Sequence, residues 1–553
     1  MRKPIHHYLN KKINTLLIIL LLIAAFLRFY NLNWDQGNFF HPDERNIANA
    51  VAKIHFFDQL NPGFFAYGGF SIYLYRAAGD LMVFITHNPI WVMDWGHINV
   101  IGRFFSALFS TLTIIPVYFL AKKIKDKHTA ILSCALYTFT VSSIQMAHFG
   151  VTESLFTLTG VTICLASINI ILHPRLRQYL LTGVLLGTAA ATKTTEILFG
   201  IFLATAHIAG LLQHRRTHLF RKQLWLVLCI IIAFATFTFF SPYTFLSWNK
   251  FLESMHYESG VATGSLPVVY TYQFNHTIPY LFQIQNFFWQ MGPAALFALI
   301  GFGFLFWYMV KTRNLKLAVF FSFPIVYFLY VGSWHTKFIR YMVPLLPFLI
   351  ISASYLLVLL QETWERVGRT ITASVVIITI LWGFAFFHIY TQEQTRVTAS
   401  RWIYTHIPPG SKIYGEHWDD GLPIPLNTFN LSIYTLEQLT IYEPDNVYKL
   451  NYYAQKLSSG DYIVINSRRL YGTLMHLTKD YPLTSKYYKL LFAGKLGYQK
   501  IEEFTSYPTI FGIQINDDAS EETFQVYEHP KVLIFKNTGR YNEQLLRNIL
   551  QQS

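Results

Sequence analysis

The chain has 553 residues, of which 53% are hydrophobic, 17% aromatic and only 13% charged. Soluble domains carry about 25% charged residues; here the apolar residues come in long blocks, which excludes an ordinary soluble protein and points to a multi-pass membrane protein. The formal charge of +14 does not signal nucleic acid, because most of the excess sits in short loops between apolar blocks, where basic residues set topology.

The first apolar block is bounded by Lys11, Lys12 and Arg28 and lacks a small-residue cleavage site, so it reads as a span and not as a cleaved signal. At about 20 apolar residues per span, eleven spans are expected, near 14–30, 99–121, 129–147, 152–172, 179–193, 195–212, 224–241, 291–310, 317–333, 341–360 and 370–388. Lys193 and Glu196 interrupt one long apolar run at the fifth and sixth; a single very long span there is the alternative. Cys134, Cys164 and Cys229 all fall inside apolar blocks, as small core residues do.

Charge checks the count. With Arg2, Lys3, Lys11 and Lys12 in the cytoplasm, alternate loops hold Lys122, Lys123, Lys125 and Lys127; Arg175 and Arg177; Arg215, Arg216, Arg221 and Lys222; Lys311, Arg313 and Lys316; and Arg366 and Arg369. The opposite loops are poor in Lys and Arg. This orientation puts the N-terminus in the cytoplasm of a plasma (inner) membrane protein and the C-terminal part outside it.

The first external loop, 31–98, is long. Ile47, Val51, Ile54 and Phe57 recur at helical spacing, as do Leu74, Ala77, Leu81 and Ile85, with Arg76 and Asp80 placed to pair at i, i+4. Both stretches read as interfacial helices. Residues 1–390 are thus expected to form a transmembrane domain. After Tyr390 the composition turns polar, and 391–553 is expected to be an extracytoplasmic α/β domain. Strands are expected near 411–415, 461–466, 524–528 and 531–536, the last two as a hairpin, and helices near 398–405 and 542–551.

The chemistry lies in ionisable residues at the external ends of spans. Asp43 and Glu44 follow the first, behind His41-Pro42; Arg103 opens the second; His148 and Glu153 lie in a short turn; Lys193 lies deep in an apolar run; His335, Lys337 and Arg340 lie in a later external loop. Charges at membrane depth are costly and mark cavities or partners. Carboxylates accept protons and cations hold phosphate, which matches transfer of a sugar from a polyprenyl-phosphate donor. Such a reaction needs cations to neutralise the leaving phosphate and one carboxylate base for an acceptor hydroxyl. Asp43 and Glu44 are the candidate catalytic pair; Lys193, Lys337, Arg340 and Arg103 are the candidate cations for the donor phosphate; Glu153, His148 and His335 are the candidate substrate contacts. No His or Cys set has metal-ligand spacing.

Several separated stretches resemble the polytopic lipid-phosphate-dependent glycosyltransferases of the C-type fold, in particular bacterial relatives of the protein O-mannosyltransferases and of the aminoarabinose transferases. They are His-Pro-Asp43-Glu44; Arg103-Phe-Phe-Ser-Ala-Leu-Phe-Ser; His148-Phe-Gly-Val-Thr-Glu153, where the family usually has Asp; Ala-Thr-Lys193; Lys337-Phe-Ile-Arg340-Tyr-Met-Val-Pro344-Leu-Leu-Pro347; and the tail from Phe524. The resemblance implies an inverting transferase of about eleven transmembrane helices. In it Asp43 activates the acceptor hydroxyl, Glu44 binds beside it, Arg103 orients the acidic pair, and Lys193, Lys337 and Arg340 face the lipid phosphate. The acceptor could be a glycan, a lipid or a protein, and the tail does not resemble the β-trefoil of the eukaryotic enzymes. Metal use varies across these families and no ion is assigned. The competing reading is a transporter or flippase of a lipid-linked saccharide, which calls for inverted repeats with broken spans at matching positions; neither is present in the sequence.

Overall fold

The computed structural model describes residues 3–213, 219–426 and 429–551, with backbone only for 3–14 and 219. Arg2, Arg215 and Arg216, and the side chains of Lys3, Lys11 and Lys12, lie outside the described residues. The chain forms two compact units: 1–33 with 41–262 and 278–387, and 34–40 with 263–277 and 388–553.

The first unit is a helical bundle. Among the described residues eight helices are long and apolar enough to cross a membrane, or nine when the bent pair Lys127–Thr138 and Val141–Ala147 counts as one span. Thr15–Phe29 is a shorter apolar helix, and Leu176–Thr192 has 17 residues. Each stretch read as a span from the sequence is helical. The ambiguity at Lys193 resolves as a break: Lys193 is extended (φ −153°, ψ 133°) and is followed by the 3-10 turn Thr194–Phe199. Interhelical packing uses small residues, as expected where lipid removes the hydrophobic drive between helices. A Cβ on Gly183 would stand 2.5 Å from the Cys229 carbonyl oxygen, and one on Gly301 2.3 Å from that of Ser352.

The bundle has two chemically different ends. Lys125 Nζ pairs with Glu362 Oε2 at 2.7 Å at one of them. Arg103 lies 22 residues earlier on the span Trp95–Ile124, about 30 Å of helix contour away at 1.5 Å per residue. Two further helices lie along the bundle, Pro42–Lys53 and Gly69–Thr86, where the sequence periodicity placed them. Arg76 and Asp80 pair at 2.9 Å as their spacing predicts. Phe57, expected on the first of these helices, lies beyond its end and is exposed.

The second unit is a mixed α/β domain. Strands β1 (Lys412–Glu416), β2 (Thr435–Leu439), β3 (Tyr462–Ile465), β4 (Tyr498–Phe504) and β7 (Val532–Asn537) form a sheet in the order β2-β1-β3-β7-β4. β1 runs parallel to β2 and β3, and β7 runs antiparallel to β3 and β4. β5 (Thr509–Ile510) and β6 (Ile513–Gln514) make a small separate hairpin. The core is rich in buried tyrosines, with Tyr414, Tyr453, Tyr487, Tyr488 and Tyr498 packed under the helices Val447–Ser459, Pro482–Phe492 and Glu543–Gln551.

One expected element is corrected. Residues 524–528 form no strand and no hairpin with 531–536. Glu521 accepts from the Thr523 N–H and starts a 3-10 turn at Glu522–Phe524, and the chain continues in helical bonds as far as His529 N–H to the Gln525 carbonyl. Local capping outweighs the strand-like composition, and β7 takes its partners from β3 and β4 instead.

Candidate active site

His41 and Pro42 set the geometry of the acidic pair. Pro42 occupies the first turn of helix Pro42–Lys53, where its missing N–H costs nothing. His41, extended at φ −95°, is the N-cap: its Nδ1 accepts the Asp43 N–H at 3.2 Å. Burial, in spite of Asp43 and with help from Arg340, Arg103 and Arg45, pushes His41 down to about 3, so the ring is neutral and its Nδ1 can accept. Both carboxylates then sit at the positive end of the helix dipole, while Ile47, Ala48, Ala50 and Val51 bury the other face.

The two neighbours diverge in role. The Glu44 side chain is fully buried and is gripped by Arg103, whose Nε and Nη2 donate to Oε1 and Oε2 at 2.8 and 2.6 Å. The Gly150 N–H also donates to Oε1, at 2.5 Å. Arg103 Nη1 donates to the Leu32 carbonyl at 2.9 Å. This is a closed structural lock. Arg103, expected among the cations for the donor phosphate, thus contacts Glu44 and Leu32. Glu44, expected to be catalytic, is fully buried among these contacts.

Asp43 is mostly buried, with 22% of its side chain exposed. Tyr67 Oη donates to Asp43 Oδ2 at 2.9 Å, and Arg340 Nη1 donates to the same oxygen at 2.5 Å. Burial pushes the Asp43 carboxyl up, but Arg340, His41, the Tyr67 hydroxyl and Lys193 together outweigh it and hold the group at about 2. The Arg340 guanidinium rests against the rings of Phe338 and Tyr341, with centroids at 5.2 and 6.0 Å. Its segment is pinned where Thr336 N–H and Oγ1 donate to the carbonyls of Ala262 and Val261.

Lys193 completes the cluster. Its Nζ lies 3.3 Å from Glu153 Oε1 and 5.4 Å from the centroid of the Tyr67 ring. Glu153 is buried and opens helix Glu153–Leu172. The link between Tyr67 and Lys193 is built by glycine: the Gly68 N–H donates to the Thr192 carbonyl at 2.8 Å, and a Cβ on Gly68 would stand 2.0 Å from the Ala191 carbonyl oxygen. Only a glycine lets this loop lie so close to the end of helix Leu176–Thr192.

The structure therefore brings together Asp43, Arg340, Lys193 and Glu153, with Glu44 and Arg103 locked behind them. His148 is buried, its ring nitrogens 2.8 and 2.9 Å from the carbonyls of Ile144 and Tyr30. Lys337 is 3% exposed and donates to the His335 carbonyl, three residues before Arg340 in the chain. His335 is half-buried in the same turn. Two residues, Tyr67 and Glu258, were not singled out from the sequence, whereas Glu196 was placed beside Lys193. Tyr67 carried a signal in the Gly68-Gly69 pair after it. Glu258, exposed on helix Trp248–Thr263, lies within electrostatic reach of Asp43, Lys193 and Arg340. Glu196 is buried, accepting from Thr159 Oγ1 at 3.2 Å. Among the described residues no group of three or more His, Cys, Asp or Glu is placed to hold a metal ion.

Residues 95–243 match the family model described as dolichyl-phosphate-mannose-protein mannosyltransferase. Among solved structures, the chain is similar to ArnT from Cupriavidus metallidurans bound to undecaprenyl phosphate, at 13% identity over 94% of this chain and 97% of that one, with a TM-score of 0.46. It is similar to the oligosaccharyltransferase AglB from Archaeoglobus fulgidus in complex with an inhibitory peptide and a dolichol-phosphate, at 12% identity over 92% and 75%, with a TM-score of 0.48. It is also similar to the S. cerevisiae Pmt1-Pmt2 complex bound to the sugar donor, at 17% identity over 43% and 34%, with a TM-score of 0.34. No curated protein sequence matches the chain.

Proposed function

We propose that this chain is an inverting glycosyltransferase that moves a sugar from a polyprenyl-phosphate donor to an acceptor hydroxyl at the extracytoplasmic face of the membrane. The observation that carries the reading is the meeting of Asp43 with Arg340 and, through Tyr67, with Lys193: one partly exposed carboxylate beside two partly exposed cations at one end of an apolar bundle. The match of residues 95–243 to a glycosyltransferase family model supports it. The excess of Lys and Arg in alternate loops supports the sidedness, with the N-terminus cytoplasmic and residues 391–553 outside.

In this reading the donor phosphate binds Arg340 and Lys193. The acceptor oxygen attacks the anomeric carbon as its proton passes to the Asp43 carboxylate. The bond from the anomeric carbon to the phosphate oxygen breaks, and the cations stabilise the charge that develops on the leaving polyprenyl phosphate. A base held at about 2 is weak at neutral pH. A phosphate that draws Arg340 away removes the main restraint, and burial then raises the basicity of Asp43. Donor binding thus prepares the base. Glu44, Arg103 and Gly150 hold helix Pro42–Lys53 in position, and Glu153 holds Lys193.

The test is purified protein incubated with a panel of polyprenyl-phosphate sugars and read as sugar-dependent release of polyprenyl phosphate. Turnover that disappears in Asp43→Asn supports the reading. Undiminished turnover in that variant, or none with any donor, removes it.

A further inference from the structure

The second unit contains an open cleft of about 410 Å³ that the transfer reaction does not use. Its walls are the turn His388–Thr391, the start of helix Thr395–His406, the end of β4 with the loop after it, and the β5–β6 hairpin. The volume is within the 300–1,000 Å³ range of small-molecule sites, and the lining is mostly polar, unlike a lipid or drug pocket.

The chemistry of that lining is selective. Glu393 and Glu503 offer carboxylate oxygens, Gln392 and Gln514 offer amides, and Thr398 and Ser506 offer hydroxyls. Among the described residues no Lys or Arg lines the cleft. The carboxylates are already partly held: Glu393 accepts from Arg401 at 3.2 Å, from Gln36 at 3.1 Å and from the lining Thr398 at 3.0 Å, and Glu503 is paired with Lys500 at 2.6 Å. Each still has spare lone pairs, since a carboxylate can accept about four hydrogen bonds. The buried Ser506 Oγ and His388 Nδ1 have no hydrogen-bond partner within the protein, and an unpaired buried polar atom is costly. Phe504 and Tyr507 add aromatic surface.

We propose that this cleft binds an uncharged saccharide. Hydroxyl groups both donate and accept, so they satisfy carboxylates, amides, Ser506 and His388 together, while the apolar face of a sugar ring rests on Phe504 or Tyr507. A phosphate or a uronic acid would meet two carboxylates and no lining cation. A peptide added to the edge strand β4 would meet a bulge between Lys500 and Glu502 and a charged edge, features that block strand addition. The proposal does not rest on the role of Asp43, because binding requires no turnover.

The experiment uses the full chain purified in a detergent without a sugar headgroup. Saturation-transfer NMR and calorimetry are run with cellotetraose, mannotriose and chitotriose, with trigalacturonate and tetra-alanine as contrasts. The expected result is saturable binding of at least one neutral oligosaccharide, weakened at least tenfold in Glu503→Gln combined with Gln514→Leu and unchanged in Asp43→Asn. Both altered positions are exposed, and circular dichroism verifies that the variant is folded. The proposal is overturned if no neutral oligosaccharide binds, if the cleft variant binds as well as the wild type, if Asp43→Asn abolishes binding, or if trigalacturonate or tetra-alanine binds better.

Discussion

Arg340 Nη1 stands 2.5 Å from Asp43 Oδ2 across a sequence separation of 297 residues. The contact joins the first turn of a helix that follows the opening apolar segment to a 3-10 turn at the head of a late span. It explains why Asp43 has an exposed face and yet a carboxyl held at about 2. Asp43→Asn should lower turnover by roughly 10²–10⁴, the usual contribution of a general base, with little change in donor affinity. Arg340→Ala should instead weaken donor binding and expose in kcat/KM, which reports the free enzyme, a pH dependence absent from the wild type, with activity rising as the released carboxylate ionises above its ordinary value near 4. Arg340→Lys should restore charge but not full rate, since a lysine lacks the planar fork. Steady-state kinetics from pH 4 to 8 separate these outcomes; identical pH profiles for wild type and Arg340→Ala would contradict the coupling.

Glu44 and Arg103 predict a different phenotype. Both side chains are fully buried, so removing one partner strands a charge, at a cost of about 3–5 kcal/mol. Glu44→Ala and Arg103→Met should each lower the melting temperature in detergent by several degrees. The double variant should be less damaged than the sum of the two. If Glu44 contacted substrate instead, Glu44→Gln would lose activity at unchanged melting temperature.

The residues of this lock and of the open site were readable in sequence, but their division of labour was not. Adjacency made Asp43 and Glu44 look like a pair, yet successive positions on a helix point about 100° apart, so one turns inward to Arg103 and the other outward to Arg340. The spans followed from composition, because each apolar block needs only to be long. The break at Lys193 was ambiguous because a charge in an apolar run can end a helix or merely interrupt it; here the approach of Gly68 to Ala191 and the Gly68–Thr192 hydrogen bond settle the geometry. Those are contacts between stretches more than 100 residues apart, which no local pattern encodes. Residues 524–528 failed for the opposite reason, a local cap at Glu521 that the strand-like composition concealed.

Gly68 offers a sharp test of the link between Tyr67 and Lys193. Its added methyl would meet the Ala191 carbonyl oxygen at 2.0 Å, so Gly68→Ala must displace the loop and carry Tyr67 from Asp43. The expected result is a large loss of turnover, comparable to that of Tyr67→Phe or greater. Tyr67→Phe removes only one hydrogen bond to a charged group, about 1.5–3 kcal/mol. Equal activity in Gly68→Ala and wild type would show that this loop does not position the site.

The second unit carries its own pH signature. His529 Nε2 lies 2.7 Å from Asp517 Oδ2 and both side chains are fully buried. Burial pushes the imidazole down, but Asp517 and Glu528 more than reverse it and raise the group to about 9. Between about 6.5, the unfolded value, and 9, the folded state binds more protons than the unfolded state, so this contribution is complete below 6.5 and lost as pH rises through 9. Glu416 acts in the same direction in an earlier window. Burial raises it from 4.5 to about 8, so the unfolded chain ionises first and stability falls between those values. Thermal unfolding of residues 391–553 within the full chain, followed by hydrogen exchange, should therefore show stability falling from pH 5 to pH 9. Glu416→Gln should flatten the part below pH 8, and His529→Gln the part above 6.5. A stability that rises with pH across this range would show that neither group keeps its proton in the fold.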